Sequence, residues 1–195
     1  MSQALGWKLR VKVPLTAGGE LDAHEVGDTF HRWIQQRSVD DVAIYVSDYR
    51  HVANGPEVLL VGHATDLVLD RAGGRLGLAL QRKRDGAAEL VPAVHDALRR
   101  LYGGAARLAE SLGKPLTLFA SGELELRLTD RLRAPNDPAT AERLLPELRR
   151  ALEPLWAGRS FSLERAGGDA EPFGARATCA AAPAIAEVVA AAARL

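Results

Sequence analysis

Four of the chain's five histidines fall between residues 24 and 63, and imidazole is the side chain best suited to proton exchange and metal ligation near neutral pH. At about 100° per helical residue, His24, Asp28 and His31 lie within an arc of roughly 60°. Two imidazoles and a carboxylate on adjacent turns are the chain's weak candidate for a divalent transition-metal site with open positions. The apolar stripe Val26, Phe30, Trp33 and Ile34 points the opposite way, so the trio projects from the helix's polar side. The plainer reading is a solvated face on which Asp28 pairs with a histidine. No glutamate base follows, as it would in a zincin motif, and neither a metal nor another cofactor is expected.

A second cluster, Asp48, Tyr49, Arg50 and His51, sets an acid, a phenol, a guanidinium and an imidazole at a strand end, where sites commonly form. It is the preferred candidate for ligand binding, and Asp48 with His51 is the alternative acid–base pair. Its plainer counterpart is a turn held by Asp48 bonding to backbone amides. His63 and Asp66 in Gly-His-Ala-Thr-Asp are a further candidate pair. If 42–48 and 57–63 form a hairpin, His63 ends near Asp40 and Asp41. His51 then lies roughly 20 Å away at about 3.3 Å per residue, so the two histidines belong to different sites. Arg82, Lys83 and Arg84 at a hairpin exit are candidates for gripping phosphate or an acidic partner. The glycine pairs at 18–19, 73–74, 103–104 and 167–168 lack the strand–GxGxxG–helix setting of a dinucleotide site. They read as turns and, at 103–104, as a helix flaw. Ser111, Ser121 and Ser160 have no nucleophile-elbow context.

Composition narrows the classes. Lys plus Arg equals Asp plus Glu at 25 each, which argues against a dedicated nucleic-acid or anionic-membrane binder. With 47% hydrophobic residues over 195 positions, the chain has enough apolar material for a substantial core. The lone cysteine, Cys179, excludes an internal disulfide and a thiolate zinc cluster and reads as a small core residue. The first residues lack the apolar core of a signal peptide, and the longest apolar stretch, near the C-terminus, is interrupted by Pro183 and Glu187. A cytoplasmic protein is expected, with no membrane association. Heavy use of Ala, Arg, Leu and Gly points to a GC-rich bacterial genome.

The elements that position these residues follow from periodicity. Trp7, Leu9, Val11 and Val13 alternate with Lys8, Arg10 and Lys12, the pattern of a half-buried strand. A helix follows over about 21–37, then strands at 41–49 and 56–63 joined across Asn54-Gly55, and a hairpin within 66–82. A long helix covers about 86–112, and a strand at 123–130 alternates as cleanly as the first. A helix opens at Asp137-Pro138 and should kink or break at Pro146. Strands at 160–166 and 173–179 and an Ala-rich terminal helix complete the chain. Trp7, Phe30, Trp33, Leu98, Leu101, Leu126, Leu148 and Trp156 are the expected core.

Strand, helix, strand, strand thus occurs twice, over about 7–63 and 122–179. The expectation is an α+β fold: a ferredoxin-like βαββαβ sandwich over 1–130 with 66–82 as an inserted hairpin, then a related, pseudo-duplicated βαββα half over 115–195. The two are expected to form one continuous globular unit, an antiparallel sheet covered by helices. Strand 7–13 should pair antiparallel with 123–130, setting Lys8, Arg10 and Lys12 against Glu123, Glu125 and Arg127. The functional expectation is a non-enzymatic protein that binds a small ligand or a protein partner, as a homodimer. The alternatives are an enzyme using His24, Asp28 and His31 or Asp48 and His51, and an RNA-binding module, which rests on fold analogy alone.

Overall fold

A computed structural model of the chain describes residues 6–38, 42–53, 55–84 and 86–195. The fold is α+β: one antiparallel sheet of eight strands with four helices. In chain order these are β1 (Leu9–Pro14), α1 (Ala23–Gln35), β2 (Ala43–Asp48), β3 (Pro56–Gly62), β4 (Thr65–Asp70), β5 (Gly77–Arg82), α2 (Leu90–Ser111), β6 (Glu123–Leu128), α3 (Pro138–Leu152), β7 (Ser162–Ala166), β8 (Phe173–Thr178) and α4 (Ile185–Ala192). The strands lie side by side as β2-β3-β4-β5-β1-β6-β8-β7. Asp40, Asp41 and Asn54, invoked above, lie outside the described residues.

Local chemistry fixes the helix starts. Asp22 accepts hydrogen bonds from the amides of His24 (2.8 Å) and Glu25 (3.0 Å) at the head of α1. Asp137 accepts one from Thr140 (2.7 Å) ahead of Pro138 in α3. Each satisfies amides that a helix N-terminus leaves open. Inward-facing leucines and valines of the sheet and the apolar stripes of the helices form one core running through both halves of the chain. All eight residues named above as core are buried in it.

The sheet departs from the expected ferredoxin-like order. That order seats β3 against β1, whereas β5 occupies the place, pairing antiparallel along the whole of β1. The segment read as an inserted hairpin is instead built into the middle of the sheet. Its first strand, β4, is buried at every position, which a peripheral hairpin does not achieve. The two-residue connection His63-Ala64 also compels β4 to lie beside β3. The adjacent interior strands β1 and β6 each lead into a helix and then to an opposite edge of the sheet, β2 or β7, before the chain turns back inward.

The charge pairing between these two strands is also different. β1 and β6 are antiparallel neighbours with Lys12 opposite Glu125, but Arg10 stands opposite Arg127. Neutralisation comes from β4, two strands away: Asp70, 1% exposed, takes Arg10 at 2.8 Å and Lys12 at 3.0 Å. Lys12 reaches it by lying across β5. A Cβ on Gly77 would come within 3.0 Å of the lysine Cε and 2.5 Å of the Val13 carbonyl oxygen. Glu125 bonds Arg176 of β8 instead, and Arg127 bonds Glu171.

Nor does Pro146 break α3, which runs through it to Leu152. The ring lies on the exposed side of the helix, where water can satisfy the carbonyl that loses its amide partner.

Candidate functional site

The loop cluster forms, but as a self-neutralised unit. The Arg50 guanidinium grips Asp48 through Nε, 2.9 Å from each carboxylate oxygen, and the Arg50 amide caps the same carboxylate at 3.0 Å. These bonds hold the Asp48 carboxyl well below the usual carboxylate range and raise Arg50. A proton acceptor so strongly committed to a cation makes a poor general base. The Arg50 guanidinium also contacts the His24 ring, and Tyr49 stacks on His51 with centroids 6.2 Å apart. The sequence gives no sign that helix α1 would contribute His24 here. Asp22, beside it, is lowered chiefly by the Glu25 amide that it caps.

The remaining candidates are dispersed. Asp66 is buried and accepts from Lys83 Nζ at 2.7 Å and from the Gly62 amide at 3.2 Å, while His63 is exposed at the strand end. Its carboxylate therefore serves Lys83 and not His63. His51 and His63 fall at opposite ends of the β2–β3 pair, given Asp48 opposite Val58 and Ala43 opposite Gly62. The run Arg82-Lys83-Arg84 is divided by strand alternation: Arg82 is buried beneath α2 in an ion pair with Asp96, Lys83 pairs with Asp66, and Arg84 is exposed. With His24 turned to Arg50, the His24, Asp28 and His31 face is not assembled as a metal site. Among the described residues no three His, Cys, Asp or Glu side chains are placed to hold an ion.

A different place in the fold has the form of a binding site. Helix α1 packs over β2 and β3 and helix α2 over β5 and β1, so their axes stand about three strand spacings apart, roughly 14 Å. Helices in contact pack at about 8–10 Å. The helices meet only toward their C-terminal ends, where Trp33 reaches Ser111, and the excess elsewhere opens a cleft over β4 with a volume near 450 Å³. On the other side of α2 no such gap persists: α2 meets α3 directly, and α4 packs on α2 and on the turn at Glu153–Trp156.

The cleft is built from a few elements. Its floor is Leu60, Leu67 and Leu80, directly opposite one another on β3, β4 and β5. Trp33 of α1 is one wall, its indole N–H donating to Ser111 Oγ at 3.2 Å. The opposite wall is α2, which presents Arg100, Gly103, Gly104 and Arg107 within an arc of roughly 100°. The Arg107 guanidinium lies over the Trp33 ring, 5.2 Å from its centroid. Arg99 and Arg100 both pair with Asp96.

The two glycines have different reasons to be there. A Cβ on Gly104 would press on Leu67 at 3.2 Å, so that glycine serves helix–sheet packing. A Cβ on Gly103 would meet nothing within 4 Å. Mid-helix glycine costs about 1 kcal/mol relative to alanine, and no packing contact requires it at 103. Exposed among the residues that line the cleft, it leaves the rim without a side chain. None of the side chains nominated from the sequence lines this cleft. The signal that marks it was legible: a glycine pair amid arginines at helical spacing on an otherwise strong helix.

No protein-family model matches this chain, and no curated protein matches it significantly.

Proposed function

We propose that this protein is a non-enzymatic binding protein that holds a small organic ligand in the cleft between α1 and α2. The observation that carries the reading is the cleft itself: the apolar row Leu60, Leu67 and Leu80 lies in the gap between α1 and α2, and Gly103 leaves the exposed rim above it without a side chain. The cleft volume is within the range of about 300–1,000 Å³ usual for small-molecule sites. Binding is favoured over catalysis by the lining itself. Among the described residues it contains one carboxylate, Glu110, and no histidine or cysteine, so it offers no acid–base pair or activated nucleophile.

The RNA-binding alternative has less support. The face of the sheet away from the helices carries Arg10, Lys12, Arg75, Arg127 and Arg176, each paired with a carboxylate. The central strands β1, β5 and β6 hold no aromatic residue on which bases would stack. The cytoplasm is the compartment we assign, in keeping with one unpaired cysteine; among the described residues no helix is long and apolar enough to cross a membrane.

The test is a thermal-shift screen of metabolite-like compounds on the wild type and on Gly103→Leu in parallel. A compound at a hundredfold excess over its Kd stabilises the fold by about 2.7 kcal/mol. The reading expects hits that lose their effect in Gly103→Leu and are recovered chemically unchanged. Hits indifferent to that substitution, or consumed by the protein, would contradict it.

A second reading concerns assembly. Of the six large hydrophobic side chains exposed among the described residues, five, Val42, Ile44, Tyr45, Tyr49 and Val52, belong to edge strand β2 and its flanks, and the sixth, Leu132, stands apart. Positions 42–47 carry no charge, whereas the opposite edge, β7, carries Glu164 and Arg165. Unguarded edges invite strand pairing. A homodimer joined β2 to β2 covers this edge, and sedimentation equilibrium should show a dimer that Ile44→Lys dissociates; a monomeric wild type would exclude it. The circuit of the chain, with a helix and an outer hairpin following each of β1 and β6, also supports an origin of the two halves by duplication of one βαββα unit.

A further inference from the structure

We infer that the ligand of the α1–α2 cleft is an organic anion: an oxyanion head group, carboxylate or sulfonate, on a planar apolar body. This rests on the cleft being the binding site and adds the chemistry of what it takes.

The charge is local and unbalanced. Arg99, Arg100 and Arg107 line the cleft, with Glu110 as its one carboxylate. Asp96, just outside, is shared among Arg82, Arg99 and Arg100. Counting the residues that line the cleft together with Asp96, three guanidinium groups stand against two carboxylates, a local positive excess in a chain whose formal net charge is zero. A cleft with low-dielectric walls focuses such a field on whatever enters it.

The arginines are also of two kinds. Arg99 and Arg100 are anchored by Asp96, whereas Arg107 forms no ion pair among the described residues and is held by its stacking on Trp33. A guanidinium fixed by its face keeps its N–H edge free, and that edge matches a planar oxyanion with two parallel hydrogen bonds. Below it, the Leu60-Leu67-Leu80 row offers an apolar strip at the bottom of the cleft, with Thr65 beside it. The head group is specified by Arg107 and the body by the floor, so the two requirements together define an amphipathic anion.

The probe pair is 1-anilinonaphthalene-8-sulfonate and its uncharged relative N-phenyl-1-naphthylamine, which share an aromatic body and differ in the sulfonate. Each is titrated by fluorescence into the wild type, Arg107→Gln and Gly103→Leu, with circular dichroism confirming the helices and Gly103→Gln replacing Gly103→Leu should the latter not fold. The proposal expects saturable binding of the sulfonate at one site per chain, at least tenfold weaker binding of the neutral compound, a loss of fivefold or more in Arg107→Gln, and no binding when position 103 is filled. Equal affinity for both compounds with no effect of Arg107→Gln, but with both lost in Gly103→Leu, overturns the anion class and leaves the cleft standing. Sulfonate binding that survives the filling of position 103, or no binding of either compound to the wild type, overturns both.

Discussion

Single residues carry most of the departures from the simple reading of this chain. Lys12 has the alternation of an outward-facing strand residue, yet it is buried and donates to the carbonyls of Ala72 and Arg75, both at 2.7 Å, besides pairing with Asp70. Nothing in its immediate sequence announces this, because its partners are about sixty residues away in a hairpin whose place in the sheet is set by other strands. Tyr102 is the converse case. It is fully buried on α2, but its hydroxyl has no hydrogen-bond partner among the described residues, and burial raises its pKa. An unsatisfied buried hydroxyl costs about 1–3 kcal/mol, and removing it leaves the ring packing intact. Tyr102→Phe should therefore be neutral to stabilising, with a denaturation midpoint equal to or above that of the wild type. A loss of stability would show that the hydroxyl has a partner.

At the scale of elements, periodicity was a sound guide to what each segment is and a weaker one to its neighbours. The strict alternation of 7–13 and 123–130 produced two adjacent antiparallel strands, since two half-apolar faces find a common core by lying together. The register between them was not legible from their charges, because Arg10 and Lys12 are satisfied by a third strand. The 103–104 glycines show the same limit from another side. Helix periodicity marks them as a flaw, while the reason for them lies in the spacing of α1 and α2, which depends on how many strands separate those helices. Gly103→Ala should stabilise the protein by about 1 kcal/mol in urea denaturation, because no contact opposes the added methyl group. Gly104→Ala should gain less or lose stability, since its Cβ presses on Leu67. Equal effects at the two positions would remove the argument that Gly103 is kept for the cleft.

The molecule is built on an eight-stranded sheet whose width leaves its two N-terminal helices in contact at one end only. The strands β4 and β5, standing between β3 and β1, are what widen it. A compact ferredoxin-like unit, with β3 against β1, would bring α1 and α2 together and leave no cleft. The hairpin 66–82, expected as an insertion, thus makes the cleft, while Asp48 with Arg50, and Arg82 and Lys83, are engaged in ion pairs elsewhere in the fold. Their types were informative, but their spatial partners, His24, Asp66 and Asp96, were set by the fold and not by nearby sequence.

The central claim is that the α1–α2 cleft is where this protein meets its ligand. The most direct test is a titration of isotope-labelled protein with 1-anilinonaphthalene-8-sulfonate, followed by amide and indole chemical shifts. The account predicts that the largest changes fall on Leu60, Leu67, Leu80, Gly103 and the Trp33 indole. Changes centred instead on Asp48–His51, or on the open face around Arg10 and Arg127, would contradict it.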